Sequence, residues 1–248
     1  MRVQILSDLH FEFHRDNGAE FFQGLRPEGV DVLVLAGDIS TRPGLEPVLL
    51  EFCDRYPQVV YVTGNHEYYQ NSPDMVHGLL RKLGHERDNF HWLQHRKVEI
   101  DGIVFAGTTL WFPEPTGTTY ERRFWLNDYN VIRGFVPWVY HEHREAVEFL
   151  EAEMASADIV VTHHMPASVC ISPRFLKGDF GPMNHYFCHD MTPQIEQGGP
   201  KFWFYGHTHD RGQYKVRDTT LIGNPFGYPS EQGRGAKGRF NKKLVVEV

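Results

Sequence analysis

Five short stretches of this 248-residue chain carry side chains able to hold metal ions or move protons: Asp8-Leu9-His10, Gly37-Asp38, Gly64-Asn65-His66-Glu67, Thr162-His163-His164 and Gly206-His207-Thr208-His209. Glu67 aside, they offer two carboxylates, one amide and at least four imidazoles. Oxygen and neutral imidazole in one set suit divalent Mn, Fe, Co, Ni or Zn, whereas Mg and Ca prefer oxygen alone. Seven such side chains exceed what one ion with an open position can use. They suit two ions sharing a bridging carboxylate, the arrangement that grips the attacking and leaving oxygens of a phosphoryl group together.

Each stretch closes an apolar run. Residues 3–6, 30–36, 59–63, 159–162 and 202–205 read as short buried strands bounded by turn residues. Leu45, Val48, Leu49, Phe52 and Tyr56 recur at helical spacing, and a second helix opens at Ser72-Pro73, with Ser72 as N-cap and Pro73 at the first position. This strand and helix alternation over the first 85 or so residues predicts an α/β protein with a largely parallel sheet covered by helices. The carboxyl ends of parallel strands lie at one edge, so segments far apart in sequence meet there in one cleft. Asp101-Gly102 between residues 98–100 and 103–106 predicts a hairpin with a type I′ turn.

From about 111 to 138 the chain has neither period and is rich in rings and guanidiniums: Trp111, Phe112, Tyr120, Arg122, Arg123, Phe124, Trp125 and Tyr129. This insertion either packs over the core or onto a partner subunit, or forms a lip that stacks a base or clamps a phosphate. A helix is expected over 138–154, irregular chain over 167–199, and short strands at 220–222 and 244–248 around a Gly/Pro/Arg-rich turn. No linker-like shift in composition divides the chain, so residues 1–248 read as one domain.

Composition narrows the partners. With 25 Lys+Arg against 32 Asp+Glu the formal charge is 25 − 32 = −7, and no block of basic residues marks an extended nucleic-acid or anionic membrane surface. No apolar run approaches the 18 or so residues of a membrane span, and the start reads as neither signal peptide nor anchor. Cys53, Cys170 and Cys188 fit no disulfide framework and read as free thiols in a reducing, cytoplasmic setting.

The five blocks in this order resemble the calcineurin-like metallophosphoesterases, whose pattern is D-x-H, G-D, G-N-H-[DE], a strand-terminal H and G-H-x-H. The resemblance spans residues 8 to 209. It implies a four-layer sandwich of two mixed β-sheets flanked by helices. It also implies two divalent ions, one held by Asp8, His10, Asp38 and His209, the other sharing Asp38 and held by Asn65, His163 and His207. His66 becomes the histidine that contacts the phosphate or protonates the leaving oxygen. His163 is preferred to His164 because it follows the strand directly. The implied reaction is hydrolysis of a phosphomonoester or diester of a small or nucleotide-like substrate, with a hydroxide bridging the ions as nucleophile. The other readings are a non-catalytic scaffold on the same fold, a protein phosphatase and a metal-dependent nuclease.

Departures bear on the substrate. Phosphoprotein phosphatases carry G-D-x-V-D-R-G, where this chain has Gly37-Asp38-Ile39-Ser40-Thr41-Arg42-Pro43. Arg42 keeps the offset of their phosphate-binding arginine, and otherwise is a solvated helix start. Glu67 either orients a ligand or His66, or caps the next segment. His14 and Arg15 could reach a substrate. Cys170, His185, Cys188 and His189 depart from the usual spacing of a structural zinc site.

Overall fold

The computed structural model describes residues 1–231 and 240–248. Residues 232–239 of the Gly/Pro/Arg-rich turn lie outside these described residues. In chain order the strands are β1 (Arg2–Leu6), β2 (Val32–Ala36), β3 (Gln58–Val62), β4 (Phe90–Trp92), β5 (Arg96–Ile100), β6 (Ile103–Thr108), β7 (Ile159–Thr162), β8 (Phe202–Tyr205), β9 (Gly212–Val216), β10 (Thr219–Gly223) and β11 (Val245–Glu247). The helices are α1 (Ala19–Gln23), α2 (Arg42–Arg55), α3 (Pro73–Glu86), α4 (Gly117–Arg122), α5 (Asp128–Val131), α6 (Phe135–Glu153) and α7 (Thr192–Gly198).

Two mixed sheets result, in the orders β11-β1-β2-β3-β4 and β5-β6-β7-β8-β10-β9. β1 to β4 run parallel, with β11 antiparallel beside β1. In the second sheet β6, β7, β8 and β10 run parallel between the antiparallel edges β5 and β9. The period of two in each strand sorts its side chains between layers. Val32, Val34 and Ala36 of β2 join Phe105, Ile159, Val161 and Phe204 in the core between the sheets. Leu33 and Leu35 instead pack with Leu45, Leu49 and Phe52 of α2 and Val76, Leu80 and Leu83 of α3. On the far side Ala146 and Leu150 of α6 cover Val160, Trp203 and Tyr205. The order is thus helices, sheet, sheet, helices.

The hairpin turn has the expected conformation, with Asp101 at φ 48° and Gly102 at φ 79°. Ser72 stands at the N-cap of α3, but its side chain makes no capping hydrogen bond. The strands β4 and β9 and the helices α1, α4, α5 and α7 go beyond the sequence reading, which left about 111 to 138 irregular. β4 and α7 are too short to establish a period, and β9 is a half-exposed edge strand. The aromatic insertion is part buried and part exposed. Trp111 and Phe112 are buried in the helix-side core and Tyr129 packs against it, whereas Tyr120, Phe124 and Trp125 are exposed. Cys53, Cys170 and Cys188 are free thiols. Among the described residues no helix is long and apolar enough to cross a membrane.

Candidate active site

The carboxyl ends of β1, β2 and β3 from one sheet and of β7 and β8 from the other meet at a single edge. Asp8 and His10 follow β1, Asp38 follows β2, Asn65 and His66 follow β3, His163 follows β7, and His207 and His209 follow β8. Hydrogen bonds lock the loops across the sandwich. His163 Nδ1 donates to the Ala36 carbonyl at 2.9 Å, and the His207 amide donates to Asp8 Oδ1 at 2.9 Å. Asp8, His10, Asp38, His207 and His209 all have positive φ, from 48° to 69°. Such left-handed backbone costs about 1–3 kcal/mol per residue and persists where the surroundings over-determine it. Two glycines permit the crowding. A Cβ on Gly64 would lie 2.2 Å from Asp38 Oδ1, and one on Gly206 would lie 2.7 Å from Asp8 Oδ2.

The donor atoms converge in two groups. In one, His10 Nε2 lies 3.0 Å from His209 Nε2 and 3.8 Å from Asp38 Oδ2, and His209 Nε2 lies 3.6 Å from Asp8 Oδ1. In the other, His163 Nε2 lies 3.0 Å from His207 Nδ1, 3.3 Å from Asn65 Oδ1 and 3.4 Å from Asp38 Oδ2. The spacing fits a metal ion's coordination sphere. Ligands bonded at roughly 2.1 Å stand about 3.0 Å apart at a right angle and about 3.6 Å apart at 120°. The other ring nitrogens are mostly held from outside, which turns the inner ones toward the cluster. Nδ1 of His10 faces Glu12 Oε1 at 3.3 Å, Nδ1 of His209 donates to Glu231 Oε2 at 2.8 Å, and Nδ1 of His163 has the Ala36 carbonyl. His207 is reversed: its Nδ1 faces the cluster, and its buried Nε2 has no hydrogen-bond partner among the described residues.

The electrostatics draw positive charge inward. Burial alone would raise Asp38, but the imidazoles of His163 and His66 hold its carboxyl well below the usual range. Burial alone would lower His163, yet Asp38 lifts it to about 10. A divalent cation would supply that charge in place of the proton.

His66 sits beside these groups. Its Nδ1 donates to Glu12 Oε1 at 2.8 Å, its ring stacks on Tyr69 at 4.2 Å, and its Nε2 is 3.4 Å from Tyr228 Oη. Burial opposes its protonation, but Asp38 and Glu12 outweigh burial and raise it to about 9. Glu67 points away, into the protein, and ties the loops together. Its Oε1 accepts from the Ile39 amide at 2.8 Å, and its Oε2 from Gly64 at 2.8 Å and Asp38 at 3.2 Å. Burial and the charge of Asp38 push Glu67 up to about 7.

The remaining candidates fall elsewhere. His164 is buried against Trp111, with its Nδ1 at 3.3 Å from the Thr109 carbonyl. Arg42 opens α2 and is not among the residues lining the cleft over the cluster; the guanidinium there is Arg174. His14 turns back and donates to the Leu9 carbonyl at 2.9 Å. Cys170, His185, Cys188 and His189 form no ligand group among the described residues. Glu12, Asp128, Glu231, Tyr69 and Tyr228 went unnoticed in the sequence. Only Glu12 had a local signal, two places after His10.

Residues 1–211 match the family described as calcineurin-like phosphoesterase. The chain belongs to that family. As a calcineurin-like phosphoesterase it is a phosphoester hydrolase of a generally metal-dependent kind. It is 23% identical over 281 residues to an uncharacterized protein of Acanthamoeba polyphaga mimivirus, covering 100% of this chain and 97% of that one. It is 26% identical over 236 residues to a UPF0046 protein of Caenorhabditis elegans, covering 90% and 68%. The solved phosphopantetheinyl hydrolase of Mycobacterium tuberculosis superposes with a TM-score of 0.74 at 18% identity, over 94% of this chain and 92% of that one. This likeness shows the shared fold, two mixed sheets flanked by helices.

Proposed function

We propose that this phosphoesterase cleaves a monoester or diester of a small substrate with two divalent ions. Asp8, His10, Asp38 and His209 would hold one, and Asp38, Asn65, His163 and His207 the other. The observation that carries the reading is the position of Asp38 Oδ2, 3.8 Å from His10 Nε2 and 3.4 Å from His163 Nε2, common to both donor groups. The mixed nitrogen and oxygen donors favour Mn, Fe, Co, Ni or Zn. When bound, such ions neutralise phosphoryl oxygens and lower the pKa of coordinated water toward about 7.

The chain's own part is positioning and proton transfer. His66 would protonate the leaving oxygen from Nε2, because its Nδ1 is engaged by Glu12 at 2.8 Å. General acid catalysis of this kind contributes about 10² to 10⁴ in rate. Tyr228 Oη, 3.4 Å from the same nitrogen, is placed to hold that proton's direction. The tautomers set by Glu12, Glu231 and the Ala36 carbonyl keep the inner nitrogens of His10, His209 and His163 free to act as ligands.

The test is metal-reconstituted protein assayed on an aryl phosphomonoester and a bis-aryl diester beside His66→Ala and Asp38→Asn, with elemental analysis. The expected result is hydrolysis of at least one substrate, loss of about 10²-fold or more in kcat for His66→Ala, and two metals per chain in the wild type. A wild type that cleaves neither substrate refutes the hydrolase reading, and a single metal per chain refutes the pair.

A further inference from the structure

The cleft above the donor groups is walled by rings. It holds about 440 Å³, and its lining includes Asp38, Asn65, His66, His207 and His209. Rings back these imidazoles directly: Tyr69 stacks on His66 at 4.2 Å, Phe187 stacks on His207 at 4.8 Å, and Tyr228 meets His209 edge-on at 4.7 Å. The lining also includes Trp125 of the aromatic insertion and Phe175 and Phe180 of the irregular segment before α7. Trp125 is 63% exposed and Phe180 58% exposed. Large rings left in water beside a concave site gain free energy when something apolar covers them.

Beyond the imidazoles, cationic charge in the cleft is scarce and already matched. Arg174 is its one guanidinium among the described lining residues, with Nε 3.0 Å from Asp210 Oδ2 and its head 4.5 Å over the Phe175 ring. The carboxylates of Asp128 and Glu231 line the same space. A second phosphate beyond the first would meet those two acids and a cation that already has a partner.

We infer that the preferred substrate joins a single phosphoryl anion to a bulky apolar, ring-bearing substituent, and that Trp125 and Phe180 are the residues that select it. The inference rests on the reading above for where the phosphoryl group sits. The wall is continuous with the donor groups, so one molecule spans both: its anion at the base, its ring against Trp125 and Phe180. The insertion between β6 and α6 therefore acts in specificity, through its exposed tip, while its buried half packs the core.

Binding of phosphonates tests this without requiring turnover. Metal-loaded full-length protein is titrated calorimetrically with 1-naphthylmethylphosphonate and with methylphosphonate, which share the anion and differ in the ring. Naphthylmethylphosphonate is expected to bind about tenfold tighter or more, the scale of one stacked ring. In Trp125→Ala and Phe180→Ala that ratio falls toward one. Phe124→Ala, whose ring is 58% exposed but absent from the cleft lining, keeps the ratio and controls for loss of any surface aromatic. A wild-type ratio within about twofold, no binding of the naphthyl compound, or a ratio unmoved in both cleft variants overturns the inference. Protein that shows the ratio but cleaves no aryl phosphoester loses the hydrolase reading alone, and protein that cleaves but shows no ratio loses this one alone.

Discussion

Asp128 Oδ1 accepts hydrogen bonds from Asn65 Nδ2 at 2.9 Å and from Tyr69 Oη at 2.9 Å. The carboxylate is buried at the start of α5, inside the aromatic insertion, and reaches a residue 63 positions earlier in the chain. Pinning the NH₂ of Asn65 turns its Oδ1 toward His163, 3.3 Å away. Replacing Asp128 with Ala is expected to weaken binding of the ion proposed at Asn65 by about tenfold or more, the range for residues that orient ligands. Asp128→Asn, which keeps an acceptor oxygen, is expected to lose less. Calorimetric titration with Mn²⁺ reads both, and unchanged binding in Asp128→Ala would rule out the orienting role.

Glu67 takes three backbone N–H groups, from Gly64, Asp38 and Ile39, in a fully buried setting. Glu67→Gln places an amide NH₂ where an acceptor is needed and leaves an amide hydrogen unpaired. Unfolding in urea is expected to show a loss of about 1–3 kcal/mol, the cost of one buried unsatisfied group. Wild-type stability in this variant would contradict the clamp.

The two loops approach so closely that Gly64 cannot carry a methyl group. Its Cβ would stand 2.2 Å from Asp38 Oδ1 and 2.6 Å from the Asp38 amide. Gly64→Ala is expected to cost more than about 2 kcal/mol and to impair ion binding. Gly84 in α3 has nothing within 4 Å of that position, so Gly84→Ala is expected to stabilise the protein by about 0.5–1 kcal/mol. Thermal melts of the two variants should therefore move in opposite directions.

His143 gives the fold an acid-sensitive element away from the cluster. Burial, reinforced by His189, His185 and Arg144, pushes it from 6.5 down to about 3. The folded protein holds the neutral ring, so this contribution to stability is complete above about pH 6.5 and is lost as pH falls toward 3. Its slope reaches about 1.4 kcal/mol per pH unit in that window. Urea midpoints measured from pH 7 to pH 4 should fall less steeply in His143→Leu, and parallel slopes would exclude His143 as the source.

The five donor blocks were legible because each ends an apolar run, and runs of that length can be read without knowing their neighbours. The same local rule chose His163 over His164: the ring directly after β7 faces Asn65 and His207, while the next one turns into the core against Trp111. Ser72 shows the limit of that rule, since a capping residue in the right place makes no capping bond. The insertion shows another limit. Trp111 and Trp125 are the same residue type in one aperiodic stretch, and one is buried while the other is 63% exposed.

Residue type and order along the chain settle which donors exist, that they fall at strand ends, and that the strands alternate with helices into an α/β sandwich. These are properties of neighbours in sequence. Which nitrogen of each histidine faces inward depends instead on contacts such as Glu12 with His66, 54 positions apart, and Glu231 with His209, 22 apart. A carboxylate that orients a ligand looks, in the sequence, like any other acid. Pairing of β1 with β2 in one sheet sets Asp38 3.8 Å from His10, but only the docking of the second sheet brings His163 to 3.4 Å, because a side chain's partners across a sandwich are set by packing of the whole core.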